Sequence, residues 1–94
     1  MLTFVLIPEG GEKSEENPIK IIPQVTSEDT MEKAINNFFI KLVKPREAIK
    51  KFMLNGKEID PKSQKKLKEY GLNNGSKVYA IKADNFNELV LMGK

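Results

Sequence analysis

Lys51-Phe52-Met53-Leu54-Asn55-Gly56-Lys57-Glu58-Ile59 is the stretch on which the fold turns. Asn55-Gly56 is the strongest hairpin signal in the chain. Both residues tolerate positive φ, which a two-residue turn needs if its twist is to match the strands it joins. Lys51 to Leu54 forms one short strand and Lys57 to Ile59 a shorter one. Immediately upstream, Pro45-Arg46-Glu47-Ala48-Ile49 makes a short turn or a single helical turn, and the preceding helix stops before Pro45 because proline pushes its predecessor out of the α region. That helix begins at Thr30, an N-cap residue, with Glu28, Asp29 and Glu32 placed to complement the positive end of the helix dipole. Met31, Ala34, Ile35, Phe38 and Leu42 recur at helical spacing as one apolar stripe that Phe39 and Ile40 widen.

The outer parts of the chain are strands. The β-branched, aromatic and aliphatic run Met1 to Ile7 ends at Pro8-Glu9-Gly10-Gly11. Glu12 to Asn17 is polar and charged and marks a hairpin loop longer than a tight turn, and residues 9–17 are expected to be mobile. Ile19 to Ile22, then Val25, is the return strand, with Pro23 confined to a bulge or an outward-facing position because it lacks an N–H. Downstream of the central hairpin, Pro61 to Tyr70 is a polar loop with one helical turn. Asn73-Asn74-Gly75 is a turn, and Lys77-Val78-Tyr79-Ala80-Ile81-Lys82 is the last strand. Two hairpins separated by a helix fold that helix onto one face of a mixed sheet. The expectation is an α+β fold, a β-grasp with four to five strands and one main helix, and with Phe38 buried between helix and sheet.

Composition narrows the function. The 94 residues are 39% hydrophobic and 31% charged, which suits one globular domain. With neither cysteine nor histidine, the chain lacks thiolate nucleophiles, the usual general base and the commonest metal ligand. Its carboxylates fall mostly in loops beside lysines. No enzyme activity, cofactor or metal is therefore expected, and the cysteine-free composition suits a reducing compartment. No apolar run reaches the roughly 20 residues that span a membrane, and the apolar start lacks the basic flank and cleavage site of a signal peptide. Charge is uneven: residues 1–32 carry two lysines against seven acids, a net −5, whereas residues 33–94 carry fourteen basic and six acidic groups, a net +8.

Several of these segments resemble ubiquitin and the ubiquitin-like domains. Met1-Leu2-Thr3-Phe4-Val5 resembles the family's first strand, and Ser27-Glu28-Asp29-Thr30-Met31-Glu32-Lys33-Ala34 its threonine-capped helix start. Phe52 to Ile59 matches its apolar strand and glycine-lysine turn. Leu67-Lys68-Glu69-Tyr70-Gly71-Leu72 matches the residues that pin its long loop, and Ser76 to Lys82 its last strand. The resemblance covers residues 1–82, leaving 83–94 as a C-terminal extension. It implies a ubiquitin-like β-grasp acting by surface binding in the ubiquitin pathway, as a cytoplasmic or nuclear monomer. The first loop is longer and more charged than ubiquitin's, and the arginine-rich diglycine tail is replaced by Ala83 to Lys94.

Three surfaces follow as candidates. Side chains alternate along strands, so if Phe52, Leu54, Val78 and Ala80 face the helix, Lys51, Met53, Tyr79 and Ile81 face solvent and form an exposed partner-binding patch. By resemblance, Met53 and Ile81 stand where ubiquitin carries two of its recognition-patch aliphatics, which implies a helical ubiquitin-binding module as the protein partner. A second candidate is a basic face of Lys44, Arg46 and Lys50, with Lys62, Lys65, Lys66 and Lys68 beyond it, suited to nucleic acid as an alternative ligand. The third is Gly93, a single glycine before Lys94, through which a covalent modifier would be conjugated; the bulky Leu89-Val90-Leu91-Met92 fits a narrow enzyme channel poorly. Phe86-Asn87-Glu88-Leu89 also has the spacing of a short docking peptide.

Overall fold

A computed structural model describes residues 2–8, 19–72 and 76–89. The 9–17 loop expected to be mobile, the turn at 73–75 and Gly93 lie outside them. The order is β1 (Thr3–Pro8), β2 (Lys20–Ile21), α1 (Met31–Leu42), a 3-10 turn (Arg46–Ala48), β3 (Ile49–Leu54), β4 (Lys57–Ile59), a second 3-10 turn (Leu67–Tyr70) and β5 (Lys77–Lys82). The strands form one mixed sheet in the order β2-β1-β5-β3-β4. β1 and β5 run parallel at its centre, and the other neighbours are antiparallel. This is the β-grasp arrangement expected from the sequence.

The helix starts as its sequence dictates. Thr30 Oγ1 accepts from the Lys33 N–H at 3.2 Å. The N–H groups of Met31 and Glu32 donate to the carbonyls of Lys65 and Ser63 at 2.9 and 3.1 Å. The orphan donors of the first turn are thus satisfied by the cap and by the long loop. Return bonds run from the Leu67 N–H to Asp29 O and from the Lys68 N–H to Ser27 O. The Tyr70 hydroxyl reaches Ser63 Oγ at 2.6 Å. Loop and helix start therefore support each other.

Phe38 is fully buried at the centre of the core. Its ring lies 4.8 Å from that of Phe4 on β1 and 5.4 Å from that of Phe52 on β3. Phe4 and Phe52 also meet edge to face at 5.6 Å, an arrangement that adds to plain area burial. Leu6, Met31, Ala34, Ile35, Val78 and Ala80 pack into the same core.

Three expectations are corrected. The return strand is only Lys20–Ile21; Pro23 is buried beyond its end, where it needs no ladder N–H. β3 starts at Ile49, two residues before the expected strand, and a register shift between Ile49 and Lys51 accommodates the extra length. Ile40 does not widen the helix stripe: it is 73% exposed, because at 3.6 residues per turn it falls opposite the core line. Within the C-terminal extension, the described residues Phe86 and Leu89 pack on the core, Phe86 being buried.

The helix ends at Val43, whose φ of 58° and ψ of 46° are left-handed, with its N–H donating to Phe39 O. A β-branched residue is strained there. Its side chain is exposed, so glycine would relieve the strain without opening a cavity. Val43→Gly is expected to raise stability by about 1 kcal/mol, read as a higher midpoint in urea unfolding. Phe38→Ala is expected to lower stability by about 3–5 kcal/mol in the same assay, a large share of what a small domain has.

Candidate functional site

Because the helix covers one face of the sheet, the alternate residues of every strand face the other way. Register fixes their neighbours. One row runs Lys20–Val5–Tyr79–Met53–Glu58 across β2, β1, β5, β3 and β4, and beside it runs Ile7–Ile81–Lys51 across β1, β5 and β3. Three of the expected residues, Met53, Tyr79 and Lys51, are half-buried on this face. Met53 and Tyr79 are direct cross-strand partners.

Ile81 is corrected. It faces away from the helix, as expected, yet is only 2% exposed. It sits in a second apolar cluster with Val5 and Ile7, against which Met53 and Tyr79 pack. Alternation assigns a side chain to a face; it does not state whether that face is open. Ile81 therefore forms the floor of the site and not its surface. Val5 and Ile7, which the sequence reading placed in no site, complete that floor. The signal was present in the unbroken apolar run Phe4-Val5-Leu6-Ile7, which marks a strand buried on both faces.

The basic residues are differently disposed. Lys44 Nζ donates to Leu89 O at 2.6 Å and lies 4.8 Å from the centroid of the Phe86 ring. The Arg46 guanidinium stacks over Phe39 at 4.7 Å and hydrogen-bonds the Asn36 side chain. Both cations are thus engaged within the chain. Lys50 is exposed at the register shift of β3. In the further set, Lys66 and Lys68 pair with Glu28 at 3.3 and 2.8 Å, and Lys65 lies over Tyr70. The Lys68 ammonium, and after it that of Lys66, holds the Glu28 carboxyl below the usual carboxylate range, and Glu28 in turn raises Lys68. These pairs are exposed and screened by salt. They nevertheless offset the positive charge of that loop.

Among the described residues, no three acidic side chains converge as a metal site, and no helix is long and apolar enough to cross a membrane. A groove of about 300 Å³ opens beside the β3–β4 hairpin, lined by Leu54, Asn55, Lys57, Glu58, Ile59 and Tyr70. Compared with known proteins, the sequence matches no family model and no curated relative.

Floor and surface are separable by mutation. Ile81→Ala should lower stability by about 2–5 kcal/mol because it empties a buried position. Met53→Ala, at a half-buried position, should lower it by under about 1.5 kcal/mol. Chemical denaturation of the two variants side by side would show whether Ile81 is floor or surface.

Proposed function

We propose that this chain is a ubiquitin-like interaction domain, not itself conjugated to other proteins, that docks a protein partner on the sheet face opposite its helix. One observation carries the reading. Tyr79 and Met53, half-exposed and paired across β5 and β3, stand on a buried floor of Val5, Ile7 and Ile81. A rigid floor suits an interface centre, because covering the face orders little beyond the two side chains that stand on it. Sequence motifs spread over residues 1–82 and the β-grasp arrangement support the family assignment.

The partner is a helical segment with acidic flanks. Neighbouring strands lie about 4.8 Å apart, so β1, β5 and β3 present a strip roughly 10 Å wide, close to the width of one helix. Charge on this face is mostly positive: Lys20, Lys51 and Lys77 share it with Glu58. Such a rim steers acidic groups and fixes their orientation.

The test is capture of partners from a lysate by the wild type and by Met53→Ala combined with Tyr79→Ala. Affinity for the captured protein should fall at least about thirtyfold, the loss of one interface hot spot, chiefly through faster dissociation, while circular dichroism and the melting midpoint show a folded variant. Raising salt should weaken binding only modestly. A folded double variant that binds normally would remove the sheet face from the mechanism. A steep fall with salt, cured by neither alanine, would indicate nucleic acid instead.

A further inference from the structure

Among the described residues, the segment Ala83–Leu89 is joined to the rest of the domain by few interactions. The Ala83 N–H donates to Ala48 O at 2.8 Å, continuing the ladder past the Ile49–Lys82 pair. Its other backbone hydrogen bonds among the described residues close within the segment, from Phe86 to Ala83, from Glu88 to Asn85 and from Leu89 to Asn85 and Phe86. Asp84, Asn85, Asn87 and Glu88 are exposed, so only Phe86 and Leu89 anchor it apolarly. Two ammonium groups bracket the aromatic anchor, with Lys44 Nζ at 4.8 Å and Lys82 Nζ at 5.5 Å from the ring centroid. The Lys44 group also holds the far end of the segment through Leu89 O.

We propose that Ala83–Leu89 is a latch that opens as a unit while sheet and helix stay folded, with the Lys44 ammonium as its catch. Opening breaks one ladder bond and withdraws one phenylalanine and one leucine. The Phe4–Phe38–Phe52 unit and the five-stranded pairing are left intact. Cooperative segments with few buried contacts open at lower free energy than the core. Lys44 grips both anchors, the Phe86 ring and the Leu89 carbonyl. When the latch opens, Phe86 and Leu89, three residues apart, are presented together to solvent, and the part of the core they cover is bared. Closure therefore withholds an apolar pair from any other protein, so its use as a ligand and its docking on the core exclude each other. This device stands independently of the sheet face.

Amide hydrogen exchange on the whole chain tests it. In the wild type, the amides of Ala83, Phe86 and Leu89 should exchange faster than those of Leu6 and Val78 in the central strands. Lys44→Met keeps much of the stem but loses the charge and the donors. It should speed exchange of the latch amides about tenfold, within the range of a desolvated cation–π contact, and leave those of Leu6 and Val78 unchanged. Lys44→Arg, which keeps a cation and its donors, should restore most of the protection. Latch amides exchanging only as slowly as the central strands would overturn the proposal, because opening would then require global unfolding. So would latch exchange that is unaltered by Lys44→Met.

Discussion

The contact of Phe38 with Phe4 and Phe52 ties together the three parts of the chain that have no local reason to meet. β1 brings Phe4, the helix brings Phe38 and the central hairpin brings Phe52. Once these rings interlock, the helix lies on one face of the sheet and the side chains of each strand are divided into two sets. The set toward the helix, Phe4, Leu6, Phe52, Val78 and Ala80 among it, packs into the core. The set away from it, Val5, Ile7, Lys51, Met53, Tyr79 and Ile81, makes up the candidate docking face. That face is thus a consequence of where the core sits.

A second constraint is electrostatic and backbone in nature. A helix start buried against a loop needs acceptors for its orphan N–H groups. Here carbonyls of Ser63 and Lys65 share that task with Thr30. The same loop carries Lys66 and Lys68 back to Glu28, so part of the basic excess of the C-terminal two-thirds meets part of the acidic excess of the N-terminal third. An uneven charge distribution along the sequence is in this region a pairing across the fold. Lys44 and Arg46 extend the pattern with aromatic partners, Phe86 and Phe39.

Local rules were legible and coverage was not. Thr30 as cap, Asn55-Gly56 as turn and the Met31-Ala34-Ile35-Phe38 stripe each follow from chemistry within a few residues, and the structure has them where the sequence puts them. Asn55 and Gly56 adopt φ of 53° and 81°, the conformation that made the pair informative. Ile81 and Ile40 show the limit. Period-2 alternation placed Ile81 on the correct face but could not tell that its surroundings bury it, and a widened stripe placed Ile40 inward where helical geometry turns it out. Phe86 and Leu89 lie in a segment with no periodicity, so their spacing suggested an external partner, whereas their partner is the chain's own core. Cation–π contacts leave no mark on a sequence, so Lys44 and Arg46 stood out only as part of a basic face suited to nucleic acid.

The parallel pairing of β1 with β5 sets the order in which the molecule comes into being. The two strands at the centre of the sheet are the first and the last of the five, so the middle of the sheet is closed by the most distant segments of the domain. During synthesis from the N-terminus, β1 emerges with one long edge unfilled and remains so until Lys82 has been made. Such non-local closure slows folding and leaves apolar strand edges exposed in the interval. For Phe4-Val5-Leu6-Ile7, buried on both faces in the finished domain, the wait for β5 is an interval in which apolar side chains and an unpaired edge stand open to other chains.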